Sequence, residues 1–407
     1  MTNDMKKRLF IALAAVTGLC SLLSCQKEDD LDLSPKVVCL AGTAGSAMLG
    51  ESITVSAANI SPSTVMTVKF GKEKVLTRTG PGSVSYTFTG SGLKSIRVTT
   101  SPEEVQKTVW LVEVKALESI QMLAKRLKAD PDLCLVMCHR ANSSDWSIPE
   151  NSLSAINKCI EDKVDIVEND LYTTKDGVLV VSHDANINRE TNGSGEIKNL
   201  TLAQIKSYFL KDRNGRVTTE KMLTFDEYLD ACNGKIYIDV DLGDRDASVT
   251  AVVNAITRKG MIQQCLVYCN SVEKIKEAYA ANPECNVYCW TNATNRNAML
   301  EGGIAGNTYF TQCSYFPQKA STSANGAPST SSCTNSSWVA ESAAAGTITT
   351  VNAIYTLDPN TFWPKDFKVA QVEEIFSYFP SCQCIHVDTG AEARAALQAY
   401  GKHVTDR

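Results

Sequence analysis

Between residues 36 and 115 apolar and polar positions alternate in short runs: V-V-C-L-A, S-I-T-V-S-A, T-V-M-T-V-K-F, S-V-S-Y-T-F-T, L-K-S-I-R-V-T and K-T-V-W-L-V-E-V, separated by turn residues. A period of two places one face of each run against a core, and about seven such strands at this spacing predict a small all-β sandwich. From Leu117 the period changes. Leu117 to Lys128 reads as a helix, and strands and helices then alternate to the C-terminus. Strands are expected at Cys134–Cys138, Asp165–Tyr172, Lys235–Leu242, Cys265–Cys269, Asn286–Trp290, Ile385–Asp388 and His403–Thr405, with either Thr308–Cys313 or Thr349–Thr356 as the sixth. Helices are expected at Ser152–Asp162, Thr224–Ala231, Ser271–Ala280, Val369–Phe379 and Ala391–Tyr400. This alternation over residues 117–407 fits an α/β fold, a (β/α)8 TIM barrel. The stretch Gln318–Gly346, rich in Ser, Thr, Ala, Asn and Gly, reads as a loop extension or lid rather than a core element.

The chain of 407 residues has room for two domains after processing. A net charge of -5 leaves no basic footprint, so nucleic acid is not an expected partner. Lys6, Lys7 and Arg8 precede the apolar run Leu9 to Leu23, which is short for a membrane span and has the shape of a secretory signal. Leu22-Leu23-Ser24-Cys25 resembles a bacterial lipobox. That resemblance implies a signal peptide over residues 1–24, acylation of Cys25, a polar tether over 25–35, and attachment through a lipid anchor to the outer membrane of a Gram-negative bacterium, on its inner or its surface face. Fifteen cysteines in an exported chain would ordinarily mean disulfides. The pairs Cys134/Cys138, Cys265/Cys269 and Cys285/Cys289, however, lie four apart within strands, about 13 Å from one another. They are expected to be buried thiols acting as small apolar groups.

The chemistry gathers between Leu135 and Asp184, where apolar runs end in His-Arg, in Glu-x-Asp and in His-Asp. In a barrel, catalytic groups stand at the C-terminal ends of strands. Glu168 and Asp170 project from one strand face with Cβ atoms roughly 6.5–7 Å apart, a spacing that can grip one hard cation. His139 and His183 end separate apolar runs and are placed to converge over that cation, and Arg140 offers a fork that suits phosphate.

These residues carry a resemblance. H-R, P-E-N-S, V-E-N-D, T-K-D-G and V-S-H-D, followed by N-I-N-R-E-T-N-G-S-G and L-T-L-A-Q-I-K, resemble the glycerophosphodiester phosphodiesterase family over residues 135 to about 243, with a fainter echo in the final T-D-R. The segment Y-T-F-T-G-S-G-L-K-S-I-R-V-T resembles PKD-type immunoglobulin-like domains, expected here as a spacer because no cluster of exposed aromatics stands out. The family resemblance implies a divalent cation, Ca2+ or Mg2+, on Glu168, Asp170 and Asp239, with oxygen-only ligation. It implies His139 and His183 as acid and base, Arg140 as a phosphoryl-binding and catalytic cation, and Glu150 as a group orienting His139 or Arg140. Trp146 and His386 are candidate substrate contacts. The implied substrate is a small-molecule glycerophosphodiester. Two departures are visible: Ala141 stands where the family has glycine, and Asp241 where it has lysine. Asp241 should share the face of Asp239 and point into the site, leaving open a second metal, a differently bound substrate group, or lost turnover. The alternatives are therefore a catalytically weakened surface-binding lipoprotein and a lyase that releases a cyclic phosphate.

Overall fold

The computed structural model describes residues 34–40, 46–48, 52–88, 91–115, 117–314, 336–354 and 367–405. Cys25, the leader before it, residues 315–335 and the last two residues lie outside the described residues. The chain divides into two compact units, residues 1–116 and 117–407.

In the first unit, alternation becomes two sheets. Lys36–Leu40, Ser52–Ala58 and Gly82–Thr87 form one, and Ser46–Met48, Thr108–Lys115, Gly92–Ser101, Val65–Phe70 and Lys74–Thr79 form the other. On Val65–Phe70 every second residue, Met66, Val68 and Phe70, is fully buried while Lys69 is exposed. These residues share one core with Ile53 and Val55 of the first sheet and Ile96, Val98, Val112 and Val114 of the second. The three-residue strand Ser46–Met48 is too short to show a period in the sequence.

The second unit is a closed barrel of eight parallel strands: Leu135–Cys138, Ile166–Thr173, Tyr237–Asp241, Cys265–Tyr268, Asn286–Trp290, Phe310–Ser314, Ile348–Asn352 and Cys382–Val387. The last pairs with the first, Cys384 beside Leu135 and Val387 beside Cys138. Both segments that competed for the sixth position are therefore barrel strands, and the ring is complete without His403–Thr405. His403 makes a single parallel bridge to Leu133 instead, and Thr405 donates its hydroxyl to Asp165. A second correction concerns the stretch read as loop or lid. Its last part is a helix, Ser336–Ala344, that buries Val339 and Ser342.

Helix starts are set by side-chain caps. Ser152 accepts from the Ala155 N–H, and Thr224 forms a reciprocal capping box with Glu227. Along the first barrel strand Val136 and Cys138, with Cys134 just before it, pack outward against helices, while Leu135 and Met137 point inward. Helix Ile120–Ala129, capped by Ser119, places Ile120, Leu123, Ala124 and Leu127 in the same cluster as the inward residues Leu135, Ile166, Tyr237, Leu266, Phe310 and Ile348. It closes the N-terminal mouth of the barrel, and each fully buried leucine contributes about 1.5–3 kcal/mol. Tyr237 Oη donates to the Glu118 carbonyl at 2.9 Å and ties this helix to the third strand. The twelve described cysteines are free thiols, eleven of them buried. Among the described residues no helix is long and apolar enough to cross a membrane.

Candidate active site

The apolar inward face of the barrel turns polar toward the C-terminal ends of four strands. Two residues beyond Met137 comes His139, and beyond Ile166 come Glu168 and Asp170. Beyond Tyr237 come Asp239 and Asp241, and beyond Cys384 come His386 and Asp388. Register makes these neighbours. Glu168 pairs with Asp239, Asp170 with Asp241, and His386 with Met137.

Oxygens of Glu168, Asp170 and Asp241 all lie within 4.8 Å of one another. Asp239, expected from the resemblance as the third ligand, is not in this group. Asp241, expected as an anomaly, occupies that place, because it is Asp241 that stands in register with Asp170 at the strand ends. Asp239 is buried one layer deeper, and its Oδ1 has no hydrogen-bond partner, nor has Oδ2 of Asp170. Burial raises the pKa of each acid, reinforced at Glu168, Asp170 and Asp239 by the neighbouring carboxylates and at Asp241 by Asp244. Glu168 and Asp239 are held well above the usual range, Asp241 is raised, and Asp170 is raised to about 7, with Arg245 opposing the rise. The Arg245 side chain donates to Asp170 Oδ1 at 2.9 Å from Nε and 2.5 Å from Nη2. Buried, oxygen-only donors with open lone pairs fit a hard divalent cation.

The two imidazoles converge. Their ring centroids lie 6.3 Å apart and nearly perpendicular. His139 Nδ1 is 2.9 Å from Asp388 Oδ1, which also accepts from Asn142 Nδ2 at 3.0 Å. His183 Nδ1 is 2.7 Å from Asp184 Oδ1, and Arg189 bonds Asp184 in turn at 2.8 Å. Burial, reinforced by Arg140, pushes His139 well below the usual imidazole value and His183 down to about 4.

Arg140 follows His139 in a tight turn with φ 51° and donates its backbone N–H to Glu168 Oε2 at 2.8 Å. Ala141 also has φ 51°, a conformation that glycine adopts without steric cost. The Arg140 guanidinium reaches Glu150 at 3.3 Å, and Arg189 reaches the same carboxylate at 2.7 Å. Against the effect of its own burial, these cations hold Glu150 down at about 2.

His386 is buried with its ring 5.5 Å from that of His139, and neither ring nitrogen has a hydrogen-bond partner. Trp146 lies further out, its ring covered by the Arg213 guanidinium at 4.6 Å. With Glu150, Arg189 and Arg213 it lines a pocket of about 210 Å³. Asp388, Asn142, Arg245 and Arg189 were not singled out from sequence. Arg189 and Arg245 carry a local signal, a cation within five residues of a site carboxylate. Asp388 carries none, being 249 positions from its partner.

Residues 139–261 match the family model described as the Glycerophosphoryl diester phosphodiesterase family. A 72-residue segment is 44% identical to the glycerophosphodiester phosphodiesterase of Caldanaerobacter subterraneus subsp. tengcongensis, covering 18% of this chain and 29% of that protein. A 76-residue segment is 42% identical to the Bacillus subtilis glycerophosphodiester phosphodiesterase, covering 19% and 25%. The mouse glycerophosphodiester phosphodiesterase 1 is 29% identical over 169 residues, 40% of this chain and 48% of that protein. The chain thus spans less than half the length of each of these curated relatives. A glycerophosphoryl diester phosphodiesterase crystal structure from Parabacteroides distasonis has the same barrel fold, with a TM-score of 0.54 over 70% of this chain and 94% of that one, at 16% identity.

Proposed function

We take as premise that the barrel belongs to the glycerophosphoryl diester phosphodiesterase family, and propose that the protein hydrolyses glycerophosphodiesters to glycerol phosphate and an alcohol. The observation that carries this reading is the meeting of two imidazoles, Arg140 and three carboxylates at one end of the barrel, within the segment that matches the family.

Arg140, fixed by Glu150 and by its backbone bond to Glu168, presents its guanidinium to the phosphoryl oxygens. A hard divalent cation, calcium or magnesium, held by Glu168, Asp170 and Asp241 supplies further positive charge to those oxygens when bound. The glycerol hydroxyl attacks phosphorus, one imidazole accepts its proton, and the other protonates the departing alcohol; water then opens the cyclic phosphate, giving its proton to the second imidazole while the first returns its proton to the glycerol oxygen. Release of sn-glycerol 3-phosphate or free choline from glycerophosphocholine, with and without a chelator, tests this. Turnover should disappear on chelation and fall about 10²–10⁴-fold in His139→Ala. Turnover indifferent to both treatments overturns the proposal.

Attachment to a membrane through Cys25 is also proposed, on the strength of Leu22-Leu23-Ser24-Cys25. Cys25→Ala should move the protein from the membrane fraction to the soluble one. A wild type that carries no acyl mass on Cys25 removes this part.

A further inference from the structure

Asp388 is wholly buried, and its Oδ1 meets both the His139 ring and the Asn142 amide, while Oδ2 has no hydrogen-bond partner. Among the described residues no lysine or arginine forms an ion pair with it. The placement follows from register. His386 stands beside Met137, so two residues on, Asp388 arrives beside His139. Asn142 closes the turn by donating its backbone N–H to the His139 carbonyl at 2.9 Å, so one carboxylate oxygen grips both ends of the turn that carries His139. His183 is held differently. Its carboxylate partner, Asp184, is claimed by Arg189 through both oxygens, at 2.8 and 3.2 Å.

We propose, building on the phosphodiesterase reading, that Asp388 is the positioning residue that holds His139 as its Nδ1–H tautomer and makes it the proton acceptor of the reaction, leaving His183 as the donor. A carboxylate can only accept, so the ring must present N–H at Nδ1 and keep its lone pair at Nε2. As the glycerol oxygen bonds to phosphorus, its proton passes to Nε2, and the imidazolium that forms lies against the Asp388 carboxylate. The bond from phosphorus to the departing alcohol breaks, and that oxygen takes the proton of His183. Water then attacks the cyclic phosphate, His183 receives the water's proton, and His139 returns its own to the glycerol oxygen. Arg189 offsets the charge of Asp184, so His183 yields its proton more readily than a histidine beside a lone carboxylate. The negative charge of the bound phosphodiester is what loads that proton, against the burial and the Arg140 charge that hold His183 down in the free site. The groups facing His139 are Arg140, Glu150, His183, Arg213, His386 and Asp388.

The test needs two readouts. With four histidines in the chain, 15N-resolved NMR of the ring nitrogens, assigned through the signal lost in His139→Gln, reports the tautomer in the unmodified protein. His139 should carry its proton on Nδ1 in the wild type and move it to Nε2 in Asp388→Asn. Steady-state kinetics on glycerophosphocholine should show kcat reduced about 10²-fold or more in Asp388→Asn, with KM within about threefold. A wild-type His139 protonated on Nε2, or an Asp388→Asn protein with full kcat, overturns the proposal. A wild type without turnover overturns the phosphodiesterase reading and the acceptor role together, while the tautomer in that same protein still decides whether Asp388 holds the ring. If Asp388→Asn fails to fold, the wild-type tautomer alone decides.

Discussion

Arg140 and Ala141 both sit at φ 51°, where a non-glycine residue carries about 1–3 kcal/mol of strain. What the strained turn secures is direction: the Arg140 amide reaches Glu168 while its guanidinium reaches Glu150. Glu150 bridges the buried Arg140 and the half-exposed Arg189, so Glu150→Gln removes the buried carboxylate that faces the buried Arg140 guanidinium. It should cost about 3–5 kcal/mol, read as a lower urea midpoint at unchanged slope. At Asp241, where the family resemblance implies lysine, the carboxylate completes a group of three oxygens. Asp241→Asn should weaken calcium or magnesium binding by more than about tenfold, equivalent to 1.4 kcal/mol, in isothermal titration. Asp239→Asn should weaken it less, its carboxylate lying outside that group.

At the scale of elements, the ends of the second and third strands concentrate acid in a dry place. Asp170 ionises in the folded protein at about 7 instead of 3.8, so the unfolded chain releases this proton at lower pH than the folded one. The folded state therefore loses stability as pH rises from about 4 toward 7. A divalent cation held there as proposed would require the ionised acids and offset the loss. The melting temperature in chelator should fall between pH 5 and pH 8, and the gain on adding calcium or magnesium should be larger at pH 8. An equal gain at both pH values contradicts this. The strands themselves were legible because apolar runs ending in His-Arg or Glu-x-Asp mark buried parallel strands. The late ones were harder. Phe310–Ser314 and Ile348–Asn352 flank a low-complexity stretch that reads as an interruption, so the pattern shows one ring position too few and His403–Thr405 reads as the strand that fills it. Nothing local distinguishes a terminal strand from a single bridge such as His403 to Leu133. Likewise no spacing rule links His139 to Asp388, because only closure of the ring makes the first and last strands neighbours.

For the whole molecule, the described residues hold separate cores in the two units, one built on Met66, Val68 and Phe70, the other on the barrel. Calorimetry should resolve two transitions, and Val68→Ala should lower the first unit's transition alone, by about 1–3 kcal/mol. Leu123→Ala, in the helix that closes the barrel, should lower the other by about 2–5 kcal/mol. That helix has a kinetic corollary. With Ile120, Leu123 and Leu127 filling the floor, traffic through the chamber is one-way-in, same-way-out, so whichever fragment lies deeper must wait for the shallower one to depart. If the proposed hydrolysis holds, glycerol phosphate would lie against the acids and imidazoles and be last off, competing directly with fresh diester, while the freed alcohol would inhibit in a mixed pattern.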